Sequence, residues 1–240
     1  MKREYVIISL ITHEDTTDWK FGRRLFEILC AYPKLQPEWV GEMGLNMQPF
    51  GSIEAMEPRW AATTELEING VVRHPLNYHW WERRKLCKTS FSFRHPHTNM
   101  KNTWSPGIFK IDAQYHKSVD WREVFDRICA LMKPKIGMLH IFTKYERPMG
   151  KGNQNFPFGT LWSLDGYHPY DFGWMYAGGH ECYADVMNAD LSGTDIIRED
   201  FGLYATLQVA KGEDELFNDF SSFAARREEL KKRLPIVASE

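Results

Sequence analysis

Nine histidines are spread over the 240 residues, and the densest group is His74, His79, His95 and His97, in the segments Arg73-His74-Pro75 and Arg94-His95-Pro96-His97. Neutral imidazoles so grouped can ligate zinc, alongside thiolate or carboxylate. Here Cys87 is the one thiol between them, and Arg83, Arg84, Lys85, Lys88 and Arg94 would repel a divalent cation. No metal and no cofactor is therefore expected, and the His-Pro pairs read as residues that shape strand ends and turns. His140 lies inside the apolar run Gly137–Thr143, where an alternating strand could aim it into a cleft as a general base. With Glu146, Asp165 or Glu181 as its partner, the chain would be a hydrolase or a nucleotide-processing enzyme. The simpler alternative is a hydrogen-bonded structural histidine.

Other catalytic patterns fail on spacing. His180-Glu181 has Ala184 where the zinc-protease helix needs its second histidine, and no Gly-Lys-Ser/Thr occurs to close a phosphate loop. Asp171-Phe172-Gly173 and Asp200-Phe201-Gly202 lack every other kinase element. No Ser-His-Asp or Cys-His order can be defended, so no catalytic residue is assigned and the chain is expected not to be an enzyme. Charge distribution says more. Residues 73–101 hold seven Lys/Arg against Glu82, interleaved with Tyr78, Trp80, Trp81, Phe91 and Phe93. Such a segment could stack and hold single-stranded nucleic acid, or be a solvated basic hairpin whose rings face the core. Residues 181–219 hold ten Asp/Glu against Arg198 and Lys211, and could face a basic partner or be merely a solvated surface.

These residues need elements to position them. Tyr5–Thr12 is a β-branched run that predicts a buried strand. A helix follows from an N-cap at Asp18, with Trp19, Leu25, Phe26, Leu29 and Tyr32 at helical spacing until Pro33. Residues 33–63 read as an irregular excursion with a short helix at Ile53–Trp60. Strands are expected at Glu65–Val72, Lys85–Arg94 and Ile108–Ala113, paired antiparallel. The clearest helix is Asp120–Lys133, where Asp120 and Glu123 form a capping-box-like pair above an apolar stripe. Ile136–Thr143 is a core strand, and 147–179 is a second irregular excursion. His180–Leu191 has weak helical spacing, Asp195–Arg198 and Gly202–Val209 are short strands, and one long helix spans Asp214–Leu234.

At 43% hydrophobic, 26% charged and a formal charge of −2, the chain is of ordinary globular composition with no overall attraction for phosphate or anionic lipid. No nucleic-acid or membrane partner is expected. The aromatic content of 14% exceeds what a core demands and suits a recognition surface or, equally, a carbohydrate or nucleotide pocket. Cys30, Cys87, Cys129 and Cys182 are too far apart for a metal knuckle and read as free, mostly buried thiols. Lys2 and Arg3 precede an apolar run, but His13, Glu14 and Asp15 stand where a signal-peptide cleavage site would be. No stretch approaches the roughly 18 apolar residues of a membrane span, so the cytosol is the expected compartment. The reading is a single α+β domain over 1–240, a mostly antiparallel sheet with helices packed on one face. Monomer or dimer stays open.

Two stretches resemble the bacterial immunity protein 52 family: Gly137-Met138-Leu139-His140-Ile141-Phe142-Thr143 followed by Glu146, and Asp219-Phe220, Phe223, Arg226-Arg227 and Leu230-Lys231. Phe172-Gly173-Trp174-Met175-Tyr176 and the Asp120-Trp121 helix start fall in the same order, so the resemblance covers the chain from about residue 70 onward. It implies a cytoplasmic antidote to a toxin, typically a nuclease of restriction-endonuclease type, delivered between competing bacteria by contact-dependent or type VI secretion. It brings no catalytic residues. Phe142, Phe220 and Phe223 read as core, and Arg226 and Arg227 as structural ion-pair formers. Inhibition would be stoichiometric, by covering the toxin's active-site cleft or blocking an assembly state it needs. The expected contact residues are Glu181, Asp185, Asp190, Asp195, Glu199 and Asp200, set against the toxin's basic surface.

Overall fold

The structure is a computed structural model that describes residues 4–42, 45–68, 70–73, 75–76, 78–98, 103–146, 172–180, 184 and 188–233. It is α+β, its sheet antiparallel, and the chain divides into two compact units: residues 1–10 with 133–240, and residues 11–132.

In the first unit the strands β1 (Tyr5–Thr12), β11 (Ile136–Phe142), β12 (Met175–Gly179), β13 (Ile197–Asp200) and β14 (Tyr204–Gln208) lie in the order β13-β14-β12-β11-β1. Pairing is antiparallel from β11 to β12, β12 to β14 and β14 to β13. Every residue of β11, β12 and β14 is buried, as continuous apolar runs predict, whereas every residue of the edge strand β13 is exposed. The irregular excursion expected over 147–179 thus ends in a strand, β12, which the glycines and aromatics of Met175–Gly179 hid from a period-two reading. Its residues 147–171 lie outside the described residues.

The long C-terminal helix is two helices, α3 (Glu213–Asn218) and α4 (Phe220–Arg233). Asp219 breaks it, at φ −139° and ψ 53°. Its carboxylate accepts from the Ser222 N–H and the Ser221 hydroxyl, so the residue caps the second helix instead of continuing the first. The ion pair between Arg226 and Glu215 then ties α4 back to α3.

The second unit orders β10 (Gly107–Gln114), β7 (Thr89–Arg94), β6 (His79–Arg83), β2 (Trp39–Glu42) and β3 (Leu45–Pro49) in that sequence, all antiparallel. Alternation along β10 is complete, and the register sets its buried Ile111 beside Phe91 and Trp81, and Phe109 beside Phe93 and His79. Helix α1 (Trp19–Cys30) starts where Asp18 accepts from the Lys20 N–H, and α2 (Trp121–Met132) where Asp120 accepts from Glu123 N–H. The two helices pack on one another.

Two expectations for this unit are corrected. The excursion at 33–63 holds the hairpin β2–β3 as well as the expected turn of 3-10 helix, seen at Glu54–Arg59. Residues 65–73 are not one strand but the pair β4 (Leu66–Ile68) and β5 (Val71–Arg73), folded about Gly70 at φ +75°. β6 and the short pair β8 (His97–Thr98) and β9 (Trp104–Ser105) were not foreseen as separate strands. Cys30, Cys87 and Cys129 are free thiols, and burial raises the Cys30 thiol to about 11; Cys182 lies outside the described residues.

Candidate functional site

His140 sits in the middle of β11, in the first unit, with none of its side chain exposed. Its Nε2 lies 2.8 Å from Glu146 Oε2, and the Trp174 N–H donates to its Nδ1 at 3.2 Å. Because Nδ1 must accept, the imidazole carries its proton on Nε2 and donates it to the carboxylate. Arg227, on α4, completes the chain through Nη1, 2.9 and 3.1 Å from the two Glu146 oxygens. Burial pushes the Glu146 carboxyl up, but the His140 hydrogen bond and the Arg227 guanidinium outweigh it and hold the group below the usual carboxylate range.

The surroundings seal the cluster. Phe223 lies roughly parallel to the imidazole at 5.6 Å, Phe142 meets it edge-on at 4.7 Å, and the guanidinium sits 5.0 Å over Phe223. The segment 172–174 crosses β11 at this point because Gly173 has no side chain: a Cβ there would stand 2.6 Å from the Leu139 carbonyl oxygen. The residues quoted for the family resemblance, from His140 and Glu146 through Gly173-Trp174 to Phe223 and Arg227, therefore converge on one buried cluster. Phe142 and Phe223 are core and Arg226 and Arg227 form ion pairs, as read from the sequence, but Phe220 is not core: it is half-buried, stacked on the exposed Tyr145. Of the proposed partners of a catalytic His140, Glu146 is in place, and Asp165 and Glu181 lie outside the described residues.

In the second unit His79 and His95 are buried as well. They are hydrogen-bonded to one another across an Nε2···Nε2 distance of 3.1 Å, and His95 Nδ1 meets the Thr16 hydroxyl at 2.8 Å. Trp60 stacks on His79 at 5.1 Å with planes 3° apart, and its indole N–H donates to the Thr16 carbonyl. Burial lowers His79 to about 3, helped by the charge of His95, and lowers His95 to about 4. His97 turns instead to the His95 carbonyl, and His74 lies outside the described residues. Among the described residues no group of three or more His, Cys, Asp or Glu could hold a metal ion.

Among the described residues of the basic segment 73–101, three of the rings lie inside, Tyr78 and Trp80 are half-buried, and two of the arginines are ion-paired. Trp81, Phe91 and Phe93 are buried, Arg83 pairs with Glu38, and Arg84 pairs with Glu82 while lying over Trp39. This is the arrangement of a solvated basic hairpin, with little left to stack on a base.

Of the acidic segment, Asp190, Asp195, Glu199 and Asp200 are exposed, and Glu181 and Asp185 lie outside the described residues. The four are not equivalent. Asp195 is held by Lys211 at 2.9 Å and Asp190 accepts from the Ser192 N–H, whereas Glu199 and Asp200 stand on the edge strand β13. Beside them three large apolar side chains are exposed, Ile197 at 51%, Phe201 at 50% and Leu203 at 61%. Nothing in the composition of the segment distinguishes these three from core residues; Ile197 is on β13, the edge strand among the described residues, and Phe201 and Leu203 are in the turn that follows it.

No family model and no curated protein matches this chain. Among solved structures it is similar to the Pseudomonas aeruginosa T6SS protein PA0821, with a TM-score of 0.56 and 8% identity over 86% of this chain and 68% of that one. A second, the Trypanosoma brucei AdoMetDC-delta26 monomer, gives a TM-score of 0.30 at 6% identity, over 85% of this chain and 63% of that one. The likeness to the T6SS protein is one of fold; the other is too low to be one. Among the described residues no helix is long and apolar enough to cross a membrane.

Proposed function

We propose that this chain is a cytoplasmic immunity protein that neutralises a cognate secreted nuclease toxin by binding it one to one, and that it is not itself an enzyme. The observation that carries this reading is the state of His140. The residue best suited by type to act as a base is wholly buried, with one ring nitrogen accepting from Trp174 and the other donating to Glu146. A general base must reach the proton it takes, directly or through one water, and this imidazole has no lone pair to offer. This closed geometry supports action through the surface over acid–base chemistry at His140.

A fold shared with a T6SS protein is compatible with this setting, as an analogy of fold. The family resemblance of the His140 and α4 segments points the same way. In this reading Asp190, Asp195, Glu199 and Asp200, continued by Glu181 and Asp185, meet the basic surface with which the nuclease holds its substrate.

Co-expression with the toxin candidate encoded beside its gene tests the function. Host survival together with a one-to-one complex on purification is the expected result. Continued killing without a complex, both proteins being soluble, overturns it. Replacing Asp190→Asn, Asp195→Asn and Glu199→Gln together is expected to slow association and flatten its salt dependence. Unchanged kinetics would remove the acidic segment from the interface.

A further inference from the structure

Resting on the neutralisation reading, we propose that the tip of the β13–β14 hairpin, Phe201-Gly202-Leu203, is the anchor that enters the partner, and that the partner offers an apolar recess rimmed by cationic side chains. A lone exposed leucine on a protein surface needs no explanation. Here three large apolar side chains, Ile197, Phe201 and Leu203, stand at half exposure or more within seven residues at the free end of a sheet.

The tip is also built to hold its shape. The Phe201 N–H donates to the Tyr204 carbonyl, and the Leu203 N–H closes on the Phe201 carbonyl around Gly202 at φ +81°, a γ-turn that glycine adopts without strain. Asp200 accepts from the Gly202 N–H at 2.8 Å and faces His180 at 3.4 Å, while the His180 N–H reaches the Leu203 carbonyl. Phe201 lies flat on the buried Tyr204, with ring centroids 5.0 Å apart. An apolar knob fixed in this manner loses little freedom on docking, the condition under which a few side chains dominate an interface.

Charge sets the partner's chemistry. Between Asn188 and Lys211 there are four carboxylates and two cations. Lys211 is drawn to Asp195. The Arg198 guanidinium donates to the Ala189 carbonyl, and its charge, after the Gly202 N–H bond, also lowers the Asp200 carboxyl; the stretch keeps a net negative balance of two. The charges that immediately precede the apolar tip, Glu199 and Asp200, are both negative and exposed. An apolar knob with a negative collar is complementary to a hydrophobic recess with a positive rim, and a second copy of this chain would oppose its own charge there.

Titration calorimetry of the full chain with the purified product of the neighbouring toxin gene tests the proposal. The double variant Phe201→Ser and Leu203→Ser is expected to raise Kd by about 30-fold or more while its thermal melting curve stays close to that of the wild type. Leu86→Ser, an exposed apolar position in the other unit, is the control expected to leave Kd unchanged. Glu199→Lys is expected to lower the association rate and make its salt dependence shallower. A double variant that binds within about threefold of the wild type, the wild type binding and protecting, overturns the anchor and leaves neutralisation standing. A wild type that neither binds nor protects overturns both. A wild-type dimer dissolved by the double variant, with toxin affinity unchanged, overturns the anchor in favour of self-association.

Discussion

Each unit of this protein buries histidine among aromatic rings, and the two do it by opposite means. In the first unit His140 donates a hydrogen bond to the Glu146 carboxylate, whose charge is matched by Arg227, so a full ion pair is carried into the interior under Phe223. In the second unit His79 and His95 satisfy one another and Thr16 in neutral form, between Trp60 and Phe93. The first cluster tolerates charge because it is compensated; the second is stable because it has none. Removing a charge therefore harms the first, and adding one harms the second.

The largest effect is expected from Arg227→Met, which strands the Glu146 carboxylate beside a neutral imidazole. A buried pair broken on one side costs about 3–5 kcal/mol, measurable by urea denaturation. The double variant Arg227→Met and Glu146→Leu should recover much of that loss, since no charge is then left behind. A single variant within 1 kcal/mol of wild type would show, against the typical cost of a stranded charge, that the cluster is more open to water than its geometry implies.

Acid should act on the second unit. The unfolded chain binds protons as pH falls through the ordinary histidine value of about 6.5, while the folded rings bind them only near 3 for His79 and 4 for His95. The stability tied to keeping them neutral is thus complete above pH 6.5 and is lost progressively below it. Between pH 7 and pH 5 this amounts to about 2 kcal/mol for each histidine that titrates independently. Denaturation curves at the two pH values measure it, and the slope should flatten in the variant His79→Phe with His95→Leu. An equal slope in that variant would assign the acid sensitivity elsewhere.

A smaller effect is expected from Thr16→Val, which leaves His95 Nδ1 buried with its hydroxyl partner gone. The cost is about 1–2 kcal/mol, and amide exchange in β6 and β7 should speed up accordingly. The smallest effect belongs to the hairpin tip. Phe201→Ser with Leu203→Ser is expected to lower stability by no more than about 1 kcal/mol, because half or more of each side chain is already exposed and the main loss is the stack of Phe201 on Tyr204. A large loss would make the tip part of the first unit's core.

Much of this was legible along the chain, wherever the decisive interaction is local. The Asp18 cap of α1 and the Asp120 cap of α2 involve residues two or three apart, and both stand as read. The His140–Glu146 pair spans six residues and could be named in advance, although its role could not. Residues 33–63 and 175–179 were harder, because β2, β3 and β12 are short, rich in Gly, Trp or Met, and lack a period of two. The break at Asp219 was hidden by apolar spacing that continues through it.

By itself the amino-acid sequence determined the α+β class, the caps, most of the helices, and a nearly even balance of charge, since each follows from residues close together or from composition. Only the tertiary structure decided which histidines are sealed and which apolar side chains are left outside. Glu146 meets Arg227 across 81 positions, Thr16 meets His95 across 79, and β13, which exposes Ile197, is the edge strand among the described residues. Burial is a property of contacts between distant residues, and a local pattern of apolar residues is the same whether a strand lies at the centre of a sheet or at its edge.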